Sequence, residues 1–404
     1  MRVCFLSRRF FPAISGMSVY ALNLLRELVA GGHDLTMISQ YRGDVAGMRV
    51  YGGGPPPEVA GVTVIGLQAH GEEAGGNFEA DVAAMVEHVV REHRVRPFDI
   101  IHAQYGYPTG FAALTASKQL GVPCVVSIQG GDGHWVGLCC ATHKAAMKAV
   151  LDHADALLIG SKSFAEEVER NHGTRSERFT IVPGAVDIAR FSPRNGARDA
   201  DQPLRVLYHG RVDVRKGAID LLYAWQQVPG DARLVISGIG PDLDAVGAKI
   251  AELGLGGSVE QTGYVAYENV PGVYRSCDVF VSPTYAEGFS NTILEAMASG
   301  LPVVSTNAVG VVDCLRDGEN GLLVEPGDAG ALGRALTRMI TDAALRERLA
   351  STALREAREI YSWRTVSRLI VNVYEQLCGT KPDTAWTCDE TVTPCRFRAA
   401  PHLL

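Results

Sequence analysis

One segment, residues 279–306, constrains the fold more than any other part of the chain. It opens with an apolar run, VFVS, crosses a polar turn, and enters a helical stretch that begins near Ser290 and ends at Gly300. Serine is favoured at helix starts, and glycine just after helix ends. Pro302 then opens a second apolar run, PVVST. The segment therefore predicts a strand, a helix and a second strand, the repeating unit of a parallel α/β sheet.

The helix of this segment begins where a parallel strand ends. Such a helix start is a ready anion site, because unpaired N–H groups and the positive end of the helix dipole meet there. Two acids frame it, Glu287 in the turn and Glu295 inside the helix, with seven residues between them. Glu295 is little more than one turn from the helix start, so its carboxylate stays close to the same place. A carboxylate repels phosphate but accepts hydrogen bonds from sugar hydroxyls, so the segment predicts a nucleotide-sugar pocket.

Chain length and composition limit the class of protein. At 404 residues the chain is long enough for two domains. Its net charge of −7 argues against a nucleic-acid partner, since nucleic-acid-binding domains are usually basic. No apolar run reaches the roughly 20 residues of a membrane span, and the apolar core of the N-terminus is too short for a signal peptide, so a cytoplasmic protein is expected. The nine cysteines are scattered without a CxxC pair, so neither a zinc site nor a disulfide framework is expected.

Strands and helices alternate in two successive series. The first series starts with a strand at 2–7 and a helix at about 17–30, and the second restarts with the strand LRVLYHG at 204–210. The polar stretch at 191–203 is predicted to be the linker between them. Two similar α/β domains are therefore expected, with the active site in a cleft between them. The first loop contains no G-x-G-x-x-G motif, which argues against a dehydrogenase.

Polar residues follow the ends of several predicted strands. Arg211 and Lys216 come after the first strand of the second series, where two cations beside a helix start can neutralise a diphosphate without a metal ion. In the first series the run QGGDGHW, residues 129–135, follows the apolar strand CVVSI. Such residues at a strand end are rarely packing filler, and Asp132 and His134 are the functional candidates among them.

For two other polar or flexible positions, Gly16 and His102, the sequence also allows or favours a purely structural role. Gly16 lies at the entry to the first helix, where it either lets a ligand approach the backbone or only makes the turn. His102 lies inside a predicted strand and is predicted to be a core histidine.

These motifs resemble those of the retaining nucleotide-sugar glycosyltransferases of family 4. HGRVDVRKG is similar to the family's G-R…K-G loop, SGIGP to its G-x-G-P turn, and AEGFSNTILEAMASGLPVVST to its E-x7-E signature. The opening GMSVYALNLLRELVAGGHDLTMIS and the segment VPGAVDIARFSP are also similar. The resemblance implies the GT-B fold, an α/β architecture of two Rossmann-like, doubly wound parallel-sheet domains that face a central cleft.

On this resemblance the chain divides into an N-terminal acceptor-side domain at 1–190, the linker at 191–203, and a nucleotide-sugar-binding domain at 204–362. A helix at 363–380 would cross back to the N-terminal domain. The remainder, 381–404, has no hydrophobic period and is predicted to be loosely ordered.

The resemblance also implies roles for individual residues. Arg211 and Lys216 would bind the donor diphosphate. Glu295 would hold the ribose, and Glu287 would face the hydroxyls of the transferred sugar. Catalysis would use the two cations, Glu287 and Gln129. The rest of the donor-binding set lies in the glycine loops and at the helix start: Gly16, Gly210, Gly238, Gly288, Phe289, Ser290, Asn291, Thr292 and Ile293.

The acceptor side departs from the family pattern. Where relatives often have a histidine near the transferred sugar, this chain has Gln129, which can donate a hydrogen bond but cannot be protonated. The usual glycine pair of the first loop is Gly16–Met17, and the usual Asn-Gly after the proline is Gly184–Ala185. The residues assigned to the acceptor side are Met17, Gln104, Gly130, Asp132 and His134.

The resemblance implies a glycosyltransferase, specifically a hexosyltransferase, that uses no metal or cofactor and transfers a sugar, usually from a UDP-sugar, with retention. The alternatives left open are a GT-B sugar phosphorylase, a nucleotide-sugar epimerase and, because of Gln129, a noncatalytic nucleotide-sugar-binding subunit. The expected partners are an NDP-sugar and a sugar, lipid-linked or small-molecule acceptor. Peripheral contact with the inner membrane face stays open, although no strong amphipathic anchor is evident.

Overall fold

The computed structural model describes residues 1–13, 15–43, 53–73, 75–196, 198–199, 201–230, 232–389 and 391–400. The chain forms two compact units. The first comprises Met1–Pro183 together with Val366–Leu404, and the second comprises Gly184–Thr365. We call them the N-unit and the C-unit and describe each by itself.

The N-unit contains a seven-stranded parallel sheet in the order β3-β2-β1-β4-β5-β6-β7. Its strands are β1 Arg2–Ser7, β2 Asp34–Tyr41, β3 Val62–Gln68, β4 Ile100–Gln104, β5 Cys124–Ile128, β6 Ala156–Ile159 and β7 Phe179–Ile181. The helices between them are Gly16–Ala30, Phe78–Val95, Phe111–Leu120, Ala141–His153 and Lys162–His172, with single turns at His70–Glu73, Gly106–Gly110, Gly131–His134 and Ser176–Arg178. The strand order reverses between β1 and β4, and in open α/β sheets ligands bind beyond the strand ends at such a point.

The C-unit contains a six-stranded parallel sheet in the order β10-β9-β8-β11-β12-β13. Its strands are β8 Arg205–His209, β9 Arg233–Ser237, β10 Val259–Gly263, β11 Val279–Ser282, β12 Val303–Thr306 and β13 Leu322–Val324. Its helices are Ala218–Trp225, Leu243–Glu252, Val270–Arg275, Asn291–Ala298, Ala329–Thr341 and Ala343–Glu359, with turns at Val214–Lys216 and Tyr267–Asn269. The order reverses between β8 and β11, so the loops after these two strands flank one crevice.

The strand–helix–strand prediction for residues 279–306 is confirmed by β11, the helix Asn291–Ala298 and β12. We call this helix the signature helix. Five of the six buried residues of this helix are apolar and face the core beside β11 and β12; the sixth is Glu295. Among the helices that the structure describes, none is long and apolar enough to span a membrane.

The last long helix, Trp363–Leu377, begins in the C-unit and continues into the N-unit from Val366. Within the N-unit, its Tyr374 hydroxyl lies 2.5 Å from His102 Nδ1. The other ring nitrogen of His102 lies 2.8 Å from Ser127 Oγ, and the side chain is fully buried, so the prediction of a core histidine is confirmed.

The predicted linker at 191–203 does not coincide with the boundary between the units, which falls between Pro183 and Gly184. The described residues of the stretch are bound to the C-unit instead. Phe191 is 2% exposed and belongs to the C-unit core, and Arg194 Nη2 lies 2.7 Å from Asp278 Oδ1. The polar composition of the stretch gives no indication of this buried phenylalanine or of this ion pair.

The prediction of a loosely ordered tail differs from the structure over the described residues 381–389 and 391–400. The segment is mostly irregular, with a single turn at Arg396–Ala399, but it is bound along the N-unit. Trp386 and Phe397 are 6% and 2% exposed, and Arg398 forms a bidentate ion pair with Glu79 at 2.6 and 2.9 Å. Two buried aromatic side chains and an ion pair hold this segment on the N-unit, although its sequence has no hydrophobic periodicity.

Candidate functional site

Two glycines shape the loops after β8 and β9. Gly210 and Gly238 have φ angles of 134° and 139°, which L-residues with a side chain rarely adopt. A Cβ on Gly238 would lie 1.8 Å from the Gly210 carbonyl oxygen, so the two loops touch backbone to backbone. Both glycines were predicted in the donor site, and both are needed to bring these loops together.

The loop after β8 also touches the loop after β11. Gly217 has a φ of 68°, and a Cβ at this position would lie 2.0 Å from the Pro283 carbonyl oxygen. Tyr285 N donates to the Arg215 carbonyl oxygen at 2.9 Å. These contacts place Lys216, the residue before Gly217, directly beside the polar turn that leads into the signature helix.

Lys216 and Glu287 form an ion pair, with Nζ and Oε1 2.6 Å apart. The two side chains are 29% and 18% exposed, so both remain accessible to a ligand. The backbone of Glu287 is fixed by a hydrogen bond from its N–H to the Val309 carbonyl oxygen at 3.0 Å. Gly310 makes this approach achievable, because a Cβ there would lie 2.2 Å from the Glu287 carbonyl oxygen.

Asp213 orients the neighbouring arginines. Its Oδ2 lies 3.2 Å from Arg211 Nε and 2.7 Å from Arg215 Nη2, and its side chain is 5% exposed. Burial alone would raise the pKa of Asp213, but the Arg215 hydrogen bonds and the charge of Arg211 lower this pKa to about 2. Asp213 is therefore a carboxylate at neutral pH, and it holds Arg211 at the end of β8.

Glu295 lies on the signature helix, 8% exposed, and accepts a hydrogen bond from the Tyr274 hydroxyl at 2.9 Å. Burial raises the pKa of Glu295 from 4.5 to about 7, although the Tyr274 hydrogen bond and the charge of Arg190 act in the opposite direction. The carboxyl group is thus poised between its neutral and charged forms near neutral pH.

The start of the signature helix has no side-chain cap from the residue before it. Ser290, the residue before the helix, makes no capping bond through its side chain among the described residues, and its Oγ lies 3.3 Å from Thr292 Oγ1. The first N–H groups of the helix are therefore not occupied by a cap. They face the end of β11, where Gly288 and Phe289 lead into the helix.

In the N-unit, Gln104 links the end of β4 to three other elements. Its Nε2 donates to Gln129 Oε1 at 2.7 Å and to the Met17 carbonyl oxygen at 3.0 Å. Its Oε1 accepts from Ser7 Oγ at 3.0 Å. The ends of β1, β4 and β5 and the start of the helix Gly16–Ala30 are thereby tied together. Gly16 itself is exposed at the first position of that helix.

Asp132 has a structural role, which corrects its assignment to the acceptor side. It is fully buried and accepts backbone N–H bonds from Gly106 at 2.8 Å, Gly130 at 2.8 Å and Gln129 at 3.1 Å. Burial raises the pKa of Asp132, while these N–H bonds lower it. The carboxyl group fixes the loop that carries Gln129 and has no exposed surface for a substrate.

His134 is largely enclosed by neighbouring side chains, and its assignment to the acceptor side stays a prediction. Its Nδ1 lies 2.7 Å from Glu167 Oε1, and its side chain is only 6% exposed. The ring stacks on Trp135 and packs against Phe164, with centroid distances of 5.2 and 4.6 Å. A sequence cannot show this, because Phe164 and Glu167 come from a helix about 30 residues further along the chain.

Comparisons with known proteins identify the family. Residues 192–356 match the family described as "Glycosyl transferases group 1", and residues 15–185 match the "Glycosyl transferase 4-like domain". The D-inositol 3-phosphate glycosyltransferase of Salinispora arenicola is 31% identical over 324 residues, 71% of each chain. The chain belongs to the group 1 glycosyltransferases.

Solved structures show the same fold as this glycosyltransferase. Sucrose-phosphate synthase from Thermosynechococcus elongatus has a TM-score of 0.78 at 23% identity, covering 93% of this chain and 98% of its own. Anabaena HepE, solved with UDP and glucose, has a TM-score of 0.75 at 19% identity, covering 93% and 100%. With two parallel sheets of seven and six strands, the enzyme has the two-domain, Rossmann-like GT-B fold.

Three residues of the candidate site were not singled out in the sequence. Asp213 orients Arg211, and Tyr274 holds Glu295. His209, at the end of β8, lies with its ring 5.4 Å from that of Tyr274 and its Nδ1 3.1 Å from Ser237 Oγ. Burial lowers the pKa of His209 to about 4, so it is neutral at pH 7. The position of Asp213 between two arginines was the one signal that could have found it.

Proposed function

We propose that this glycosyltransferase transfers a sugar from a nucleotide-diphosphate sugar, with UDP as the nucleotide, and that it does so with retention and without a metal ion. The observation that carries the proposal is the Lys216–Glu287 ion pair between the loops after β8 and β11, with Arg211 paired to Asp213 in the same loop after β8. The uncapped start of the signature helix adjoins them. A site of this kind offers two cations and a helix dipole for phosphates, and a carboxylate for hydroxyls.

Arg211 and Lys216 supply the charge that the reaction needs. When the bond between the anomeric carbon and the phosphate oxygen breaks, negative charge grows on the departing diphosphate. Cations already in place stabilise that charge without further rearrangement. The Lys216–Glu287 pair suggests how the groups are shared: Lys216 turns to the phosphate while Glu287 accepts hydrogen bonds from the sugar.

Glu295 is assigned to the ribose. An ionised carboxylate accepts hydrogen bonds from two neighbouring hydroxyls, and such bonds to a charged group are stronger than neutral ones. The pKa of about 7 means that ribose binding draws Glu295 into its charged form. Tyr274 remains as a donor to the same carboxylate.

Retention is assigned to attack on the same face of the sugar as the leaving group. The acceptor oxygen bonds to the anomeric carbon, and its proton passes to the departing phosphate oxygen. Among the acid candidates that the sequence named in the N-unit, Asp132 is buried under three N–H bonds, so it does not serve as a nucleophile. We therefore assign the role of the base to the leaving phosphate.

The proposal of metal independence is supported by the pairing of the carboxylates. Glu287 is neutralised by Lys216, and Asp213 by Arg211 and Arg215. A Mg²⁺ ion prefers carboxylates that are not already matched to a cation. The UDP assignment is supported by the structure of Anabaena HepE, which was solved with UDP and glucose.

On the acceptor side, Gln129 is proposed to donate to a sugar hydroxyl. Its Oε1 accepts from Gln104, so its amide NH₂ is the end that can donate. This orientation replaces the family's usual histidine with a neutral donor of fixed direction.

The proposal is tested by calorimetry with a panel of NDP-sugars in the presence of EDTA. Binding of a UDP-sugar that survives EDTA is expected, and failure of every donor to bind would overturn the donor assignment. Mass spectrometry with candidate acceptors then detects the product, and NMR reads its anomeric configuration, where inversion would overturn the mechanism.

Two further outcomes separate the alternatives. Turnover that requires phosphate would indicate a phosphorylase, and epimerised donor without an acceptor would indicate an epimerase. For Glu287→Ala, loss of turnover with retained UDP binding is expected. Unchanged turnover in this variant would contradict the role of the carboxylate.

A further inference from the structure

Four potential metal ligands of the N-unit converge although they are far apart in sequence. Cys139, Cys140, His143 and Cys395 each offer one ligand atom, and these atoms all lie within 4.8 Å of one another. His143 Nδ1 lies 3.0 Å from Cys139 Sγ and 3.7 Å from Cys395 Sγ, and the two neighbouring sulfurs are 4.0 Å apart. A tetrahedral ion with Zn–S bonds of about 2.3 Å and a Zn–N bond of about 2.0 Å has ligand–ligand distances of about 3.5–3.8 Å.

The first three ligands belong to one loop–helix junction. Cys140 precedes the helix Ala141–His153, and its Sγ accepts the His143 backbone N–H at 3.5 Å. His143 lies in the first turn, so its ring returns toward the two cysteines. The ring is fully buried and packs against Tyr107 and Phe78, with centroid distances of 4.7 and 5.6 Å. This packing orients the ring, since Nε2 has no hydrogen-bonding partner among the described residues.

The fourth ligand comes from the tail, which is held on both sides of Cys395. Before it, Thr142 Oγ1 donates to the Thr391 carbonyl oxygen at 2.6 Å and accepts from Thr393 N at 2.7 Å. After it, Arg398 is paired with Glu79. The approach of Cys395 therefore rests on contacts that do not themselves involve sulfur.

We propose that Cys139, Cys140, His143 and Cys395 bind one structural Zn²⁺ ion that fastens the tail to the N-unit. Three thiolates and one imidazole form a soft ligand set that suits zinc. Four protein ligands close the coordination sphere, so the ion has no open position for catalysis. The close spacing of the four atoms fits a single ion rather than a cluster of several irons.

Binding is balanced by proton release. Each of the three thiols loses its proton to solvent as its Zn–S bond forms, and neutral His143 binds through Nδ1 while Nε2 keeps the ring proton. The zinc is supplied from solution, and no oxidant or reductant is required. Because His143 and Cys395 lie 252 residues apart in the sequence, metal binding and docking of the tail are coupled.

The test measures metal content of the full-length protein, purified with reductant and then equilibrated with Zn²⁺ and desalted. Elemental mass spectrometry is expected to find on the order of one zinc per chain. Cys395→Ser should weaken zinc binding more than about 100-fold, the range reached when even outer-shell partners of a metal site are lost. The matched control is Cys388→Ser, a tail cysteine outside the cluster, which should keep the metal.

Two further measurements use the wild-type protein and do not depend on how well a variant folds. Cobalt added to the wild-type protein should give the visible absorption of tetrahedral, thiolate-bound Co²⁺, and a chelator should make the tail more sensitive to limited proteolysis. The proposal is overturned by wild-type protein that takes up no zinc, by Cys395→Ser that binds zinc as tightly as wild type, or by a disulfide among these cysteines in the reductant-treated protein. None of these measurements depends on sugar transfer.

Discussion

Replacing Glu295 by glutamine should stabilise the C-unit and weaken donor binding at the same time. The folded-state pKa of Glu295, about 7, lies above its usual 4.5 because the side chain is buried. The folded protein therefore favours the protonated form. The stability from this group is fully present below a pH of about 4.5 and is lost as the pH rises through about 7. At about 1.4 kcal/mol per pH unit, the loss totals about 3 kcal/mol, of which about 2 to 3 kcal/mol falls between pH values of about 5 and 8.

Glutamine does not ionise, so Glu295→Gln should escape this loss. The melting temperature of the variant relative to wild type should rise by roughly 5 to 10 °C between the same two pH values, as expected for a domain of this size. Differential scanning fluorimetry at both pH values measures it. Any packing cost of the amide is the same at both, so the pH-dependent part isolates ionisation. Donor affinity at the higher pH should fall roughly 10-fold, because a charged acceptor is lost.

Glu356→Gln is a matched control. Glu356 is also 8% exposed in the C-unit, but its carboxylate is paired with Arg316 and accepts from Asn320 Nδ2 at 2.8 Å. Removing this charge leaves Arg316 without its buried partner, so the control should be destabilised at both pH values. A Glu295→Gln variant whose difference from wild type does not change with pH would refute the assigned ionisation and, with it, the argument for the ribose.

The other predictions use matched pairs. Lys216→Ala should lower kcat/KM by roughly 100- to 1,000-fold and change stability by less than about 1 kcal/mol. The control Lys249→Ala removes a comparable lysine–glutamate pair and should leave kcat/KM unchanged. Equal losses of kcat/KM in the two variants would argue against a specific role for Lys216. Gly238→Ala should destabilise the C-unit by more than about 3 kcal/mol. Gly257→Ala, where no atom of the described residues lies within 4 Å of the new Cβ, should have little effect in the same denaturation assay. Gln104→Ala should raise the acceptor KM by about 10-fold and leave calorimetric donor affinity unchanged, so a parallel loss of donor affinity would contradict its place on the acceptor side.

The arrangement of Lys216, Glu287 and the signature helix could be predicted from sequence because its determinants are local. The start and end signals of the signature helix lie within a few residues of it. The loops after β8 and β11 meet because these strands are neighbours where the strand order reverses. Because Lys216 and Glu287 lie in these two loops, the alternation of strands and helices along the sequence is enough to predict that they lie close together.

Other parts of the site depend on partners that sequence does not reveal. Tyr274 donates a hydrogen bond to Glu295 from a separate helix, and nothing in the sequence around Tyr274 indicates this role. Asp132, which follows two glycines at a strand end, was predicted to be an acceptor-side residue, yet its partners are backbone N–H groups, which nearly every residue has. The sequence does not distinguish a carboxylate that fixes a loop from one that binds a ligand, because the difference lies in the hydrogen-bonding partners that the fold supplies.

The cysteine cluster shows the same limit for metal sites. Sequence rules for zinc rely on paired ligands in short motifs, because two close ligands can be read locally. Here Cys139, Cys140 and His143 form an unfamiliar local group, and the fourth ligand lies 252 residues beyond His143. The tail has no hydrophobic period, so its own sequence predicts little order. Its order comes from the aromatic anchors, the Arg398–Glu79 pair and, on our proposal, a zinc ion, and each of these requires the folded N-unit as a partner.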